Sequence, residues 1–226
     1  MGTIRNLTIL FCDIKGFTPF SESLSAYDVI FILNRYFSIM REVIIRHGGE
    51  VNNYIGDAIL AIFGLKESRQ QSLRAVTASV EMLKEMDHFK SYLKQAYERD
   101  FDIRVGVHYG EVISGSVGVG EDRKVTVIGD AVNIASRIES INKEAGTRLL
   151  ISETVYDQVK EKVSVKNYLR LKLRGTSNLI TLYEVSDVDS SALKLNVTEV
   201  ERTIAVSYTH LRAPRDATLS RMPSSA

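Results

Sequence analysis

Apolar residues along the chain gather into short unbroken runs that alternate with longer stretches spaced at threes and fours. Residues 7–12, with Thr8 the one polar member, make a run of the length expected for a strand buried on both faces. The chain leaves it through Asp13 and Gly16. Between residues 26 and 47, Val29, Leu33, Tyr36, Met40 and Ile44 recur at helical intervals, which predicts an amphipathic helix ended by Gly48-Gly49. Residues 51–55 and 58–63 are apolar-rich with only Gly56-Asp57 between them, the sequence form of a tight β-hairpin with Asp57 at its tip. Leu73, Val76, Val80 and Leu83 mark a second helix that continues brokenly towards Tyr97, and residues 103–107 and 111–114 read as two strands.

After the glycine-rich residues 115–120, a strand is expected at 124–128 and a helix at 130–144. Residues 149–151, 152–159, 168–173 and 180–185 then read as strand, helix, strand, strand. The order up to Val107 is βαββαβ, which predicts an α+β fold: a ferredoxin-like sandwich with helices on one face of a mainly antiparallel sheet, extended by a C-terminal helix and strands. The pattern occupies residues 5–186. Residues 187–226 form a C-terminal extension that reads as disordered and, from about Val206, as partly non-native, because residues 207–215 follow neither period and hold Pro214, with Pro223 beyond.

Composition narrows the class without naming a partner. Of 226 residues 44% are hydrophobic and 25% charged, as in ordinary globular proteins. A net charge of +1 gives no bulk attraction for nucleic acid or an anionic membrane. The single Cys12 cannot close an internal disulfide, and no run is long enough to span a membrane, so a cytoplasmic domain is expected. Because Met1 stands just before the first strand, the domain reads as cut from a longer chain with a sensor module upstream.

Asp13 and Asp57, at neighbouring strand ends, could share one sheet edge and hold a hard cation such as Mg²⁺. Aspartates also populate turns and caps, and on these features alone that plainer reading is favoured. Asn133 and Arg137 lie four apart on one helix face, and solvation explains such a pair equally well. Arg104 is less ordinary, since a guanidinium inside an apolar strand needs an anion or acceptor if that position is covered. Residues 115–120 do not match a phosphate-binding Walker loop and read as a flexible hairpin connection.

Four segments together resemble one family. They are Phe11-Cys12-Asp13-Ile14-Lys15-Gly16-Phe17-Thr18, residues 49–63 with Ile55-Gly56-Asp57-Ala58, Arg104-Val105-Gly106-Val107-His108-Tyr109-Gly110, and residues 127–137 ending Asn133-Ile134-Ala135-Ser136-Arg137. In this order and with these gaps they resemble the class III nucleotidyl cyclase catalytic domain, of the bacterial adenylyl cyclase type.

The resemblance implies conversion of a nucleoside triphosphate to its 3′,5′-cyclic monophosphate and pyrophosphate by in-line attack of the 3′-hydroxyl on the α-phosphorus. It implies that Asp13, the Ile14 main chain and Asp57 hold two Mg²⁺ or Mn²⁺ ions, and that backbone groups from Ile14 to Thr18, those of Phe17 and Thr18 among them, cradle phosphates. Arg137 would stabilise the transition state and Asn133 orient the ribose. Arg104 matches an arginine near the phosphates, and Arg174 stands where relatives usually carry a triphosphate-binding lysine. The family's sites lie across a dimer interface; this chain carries both sets of residues, so a homodimer with two equivalent sites is implied.

The departure lies in base reading. Where adenylyl cyclases of the family usually place a lysine and an aspartate or threonine, this chain has Asn53 and Thr126. The hydrogen-bonding capacity of that pair permits either purine, and Thr126 tilts the expectation to ATP. Two other readings stay open: a guanylyl or dual-specificity cyclase, and a cyclase-homology domain that dimerises and regulates without turnover. A diguanylate cyclase or polymerase palm shares the two-metal logic, but its GGDEF signature is absent.

Overall fold

The computed structural model describes residues 2–119, 124–172, 179–191 and 193, all within the compact unit Met1–Leu195. Eight strands and five helices follow in the order β1 (Thr3–Lys15), α1 (Phe17–Ser21), α2 (Ala26–Arg46), β2 (Gly49–Ile55), β3 (Ala58–Phe63), α3 (Gln71–Tyr97), β4 (Asp102–Val117), β5 (Lys124–Ile128), α4 (Asp130–Ala145), β6 (Leu149–Ser152), α5 (Glu153–Val159), β7 (Val163–Lys172) and β8 (Leu179–Val188) among the described residues. They form one sheet in the order β2-β3-β1-β4-β6-β8-β7, with β5 pairing β4 off this path. The β4–β6 pair is parallel, and the other ladders are antiparallel. The predicted α+β sandwich with its C-terminal additions is thus the fold.

Alternation along β1 sorts its side chains to two layers. Leu10, Cys12 and Ile14 enter the main core with α2, α3 and α5, whereas Leu7 and Ile9 meet Ala131 and Ala135 of α4 in a second core. Each fully buried side chain of this size contributes about 1.5–3 kcal/mol by leaving water. The expectation of helices on one face, made for the elements up to Val107, holds for α2 and α3; of the later additions, α5 joins that face and α4 covers the opposite one. Gly106 on β4 makes this possible: a Cβ there would stand 2.3 Å from the Glu139 amide nitrogen and 2.6 Å from the Ala135 carbonyl.

Two expected breaks do not occur, and one strand begins earlier than expected. Residues 103–107 and 111–114 belong to one strand, because β1 pairs β4 without interruption from Thr3↔Ser114 to Lys15↔Asp102. The second helix runs unbroken through all 27 residues of α3, since Met82, Met86, Phe89 and Leu93 continue its buried stripe beneath the charged Lys84, Glu85 and Asp87. β7 begins at Val163, five residues before the expected 168, drawn on by its ladder with β8. Arg174 and the segment beyond residue 193 lie outside the described residues, as does Gly120 of the glycine-rich stretch.

Cys12 is fully buried with its Sγ 3.4 Å from the Tyr36 hydroxyl, and burial pushes the thiol up to about 12, so it stays protonated and unreactive. His108 is buried on β4, its Nδ1 2.9 Å from the Ser152 hydroxyl, and burial lowers it to about 4 against an opposing pull from Asp130. An unfolded chain protonates this ring near 6.5, whereas the fold does not until about 4. The ring's contribution is therefore intact above pH 6.5 and lost as pH falls towards 4. Between pH 7 and pH 5 this should cost the parent about 2 kcal/mol more than His108→Gln. Denaturant titrations at both pH values check this, and equal losses in the two proteins would contradict it.

Candidate active site

Asp13 lies near the end of β1 on the α4 side of the sheet, directly across from Arg104 on β4. The Arg104 guanidinium reaches both ways, 3.5 Å to Asp13 Oδ2 and, through Nε, 3.1 Å to Glu139 Oε1 on α4. The covered arginine has thus found its anions. One of them, Glu139, was not anticipated, although its helical spacing from Ala135 and Asn142 places it on the buried stripe of α4. Burial, with the Asp13 charge adding to it, pushes Glu139 up to about 7 against the pull of Arg104.

Asp57 occupies the two-residue turn between Ile55 and Ala58, where Gly56 takes φ 63°. That left-handed backbone suits glycine, and it sets the next residue at the hairpin tip. The Asp57 side chain comes within hydrogen-bonding reach of Asp13. Burial first, then the Asp57 charge, raises Asp13 to about 6, with Arg104 opposing. Two carboxylates held together at a half-buried sheet edge offer an all-oxygen donor set for a divalent cation. Among the described residues no cluster of three or more His, Cys, Asp or Glu could hold a metal. A cation held by Asp13 and Asp57 would take its remaining ligands from main chain, water or phosphate oxygens, which is how Mg²⁺ is usually bound.

Ile14 is buried in the main core, so only its main chain is available to a ligand. Gly16, at φ 76°, turns the chain from β1 into α1, where Phe17 packs against the core and Thr18 is exposed. The first amides of any helix lack intrahelical partners, and those of Phe17 and Thr18 stand four and five residues from Asp13. On α4, Asn133 is exposed and Arg137 half-buried, and neither forms a hydrogen bond or ion pair among the described residues. Asn53 is exposed on β2, where it pairs with Leu60, and Thr126 is half-buried on β5. The side chain brought onto Thr126 is Asn52, the extra residue where the β2–β3 register shifts between Val51 and Asn53.

The profile of the adenylate and guanylate cyclase catalytic domain matches residues 1–186. The chain is 35% identical over 191 residues to an adenylate cyclase of Anabaena cylindrica, covering 81% of this chain and 37% of that protein. It is 32% identical over 185 residues to adenylate cyclase 1 of Rhizobium meliloti, covering 81% of this chain and 28% of the relative. The chain thus spans about a third of the length of these relatives. Among solved structures it is similar to the guanylyl cyclase Cya2, with a TM-score of 0.79 and 32% identity, covering 86% of this chain and 98% of that one. It is also similar to the adenylyl cyclase CyaB from P. aeruginosa, with a TM-score of 0.76 and 29% identity, covering 83% and 96%. The chain belongs to the class III adenylyl and guanylyl cyclase catalytic domain family, a family of phosphorus–oxygen lyases. Among the described residues no helix is long and apolar enough to cross a membrane.

Proposed function

We propose that the domain is an adenylyl cyclase that converts ATP to 3′,5′-cyclic AMP and pyrophosphate at sites shared across a homodimer. The observation that carries this reading is the Asp13–Asp57 carboxylate pair, braced from below by Arg104 and Glu139. Asp13 and Asp57, with the Ile14 main chain, would hold two Mg²⁺ or Mn²⁺ ions, which when bound supply charge neutralisation on the phosphates and acidify the 3′-hydroxyl. The amides of Phe17 and Thr18 receive phosphate oxygens. Arg104 keeps the Asp13 carboxylate oriented, and Arg174 contributes charge to the triphosphate. Asn133 orients the ribose and Arg137 stabilises the charge that builds on the α-phosphoryl oxygens, so catalysis is positioning plus electrostatics.

Sharing between two chains is supported by what each leaves exposed. Ile113, Val117, Val125 and Ile128 on the β4–β5 ribbon are all at least half exposed, and Ile55 beside Asp57 is 50% exposed. Apolar surface of this kind suits a second copy.

A guanylyl cyclase is the second reading, favoured by the similarity to Cya2 and by the uncharged Asn53. Incubating the purified domain with ATP and GTP in parallel, with Mn²⁺ and at several protein concentrations, separates these. Cyclic AMP made predominantly, with specific activity rising with concentration, is the expected result. Mainly cyclic GMP would replace the base assignment, and no product from a folded dimer would favour a non-catalytic regulatory module.

A further inference from the structure

We propose that Asn52 is a positioning residue: it holds the hydroxyl proton of Thr126 and so leaves Thr126 facing the base as an acceptor, which selects a 6-amino purine. The inference rests on the cyclase reading and adds to it the group that sets base preference.

Hydrogen-bond inventory leaves one consistent arrangement. The Asn52 Nδ2 donates to the Val125 carbonyl at 3.0 Å. A carbonyl cannot donate, so this contact fixes which end of the amide faces β5 and turns Oδ1 towards Thr126. Thr126 Oγ1 lies 3.4 Å from that Oδ1, and only the hydroxyl has a proton to give. The separation is long for such a bond, so its contribution to stability is small, and its effect is orientation. With its proton drawn towards Asn52 Oδ1, Thr126 turns its lone pairs to the base. These accept from an exocyclic 6-amino group and repel a 6-oxo group. To serve a 6-oxo purine the hydroxyl must turn away and leave Asn52 Oδ1 without its donor.

The register shift in β2 makes this possible. Asn52 is the residue inserted between the Val51 and Asn53 pairings, and such bulges re-aim side chains next to functional sites. Asn53 remains exposed, free of a fixed partner among the described residues.

The test compares ATP with inosine triphosphate, which carries oxygen in place of the 6-amino group. In Asn52→Ala the ratio of kcat/KM for the two is expected to fall about tenfold, equivalent to about 1.4 kcal/mol, mostly through KM. Asn52→Asp, which can still accept from Thr126, should keep most of the preference. In a Thr126→Val background, Asn52→Ala should change the ratio no further, because the hydroxyl it controls is gone. An unchanged ratio in Asn52→Ala, an equal loss with both nucleotides, an Asn52→Asp ratio as low as that of Asn52→Ala, or a further fall in the Thr126→Val background each overturns the proposal. No cyclic product from the parent with either nucleotide overturns the cyclase reading itself, and this inference with it.

Discussion

Asp57→Ala is expected to bring cyclic-nucleotide formation down by about 10³-fold or more while leaving the folded chain intact. Asp57 sits in a two-residue turn outside the apolar cores, and its carboxylate faces the like charge of Asp13. Its removal empties no cavity and relieves a repulsion, so the thermal midpoint should hold or rise slightly. Asp13, which Asp57 helps to hold up at about 6, should titrate lower in the variant. Activity assayed beside thermal unfolding checks both halves, and full activity in Asp57→Ala would end the metal assignment. Mixing sharpens the result. Arg137→Ala should be equally inactive, yet a mixture of the two variant chains should recover activity, because a heterodimer then contains one site with every residue in place. Demonstrated heterodimers without recovery would count against shared sites.

Gly106→Ala should be strongly damaging, costing about 3 kcal/mol or more. The added Cβ would meet the Glu139 amide nitrogen at 2.3 Å, the Ala135 carbonyl at 2.6 Å and the Glu139 Cα at 2.9 Å. All three are main-chain atoms of α4, so no side chain can swing aside, and the helix must lift from the sheet. Lifting α4 opens the core at Ala131 and Ala135 and draws Glu139 from Arg104. It also displaces Asn133 and Arg137, so activity should fall further than the folded fraction does. Denaturant midpoints and specific activity per folded chain measure the two effects. Unchanged stability would show that the helix packs on the sheet without needing the missing side chain.

Much of this arrangement was legible from residue order. The βαββαβ sequence, the Gly56-Asp57 turn and the need of Arg104 for an anion all follow from local rules, since period and turn chemistry act within a few residues. Glu139 escaped because a carboxylate on the buried stripe of a helix reads as surface until a partner is known. Asn52 escaped for a related reason: a register shift belongs to two strands, and the sequence of one does not announce it.

The extents of β4 and α3 show the same division. Local spacing suggested two strands parted between Val107 and Glu111 and a helix broken after Leu83, but β1 pairs β4 throughout and the core takes up Met86, Phe89 and Leu93. The sequence by itself determined the order of elements, the family and the identity of the chemical groups, because these depend on composition and spacing within short windows. Tertiary structure alone decided that α4 lies on the face opposite α2, α3 and α5, that Arg104 bridges Asp13 to Glu139, and that Asn52 reaches Thr126. Each of these joins residues distant in sequence, and only packing and strand register bring such residues within bonding distance.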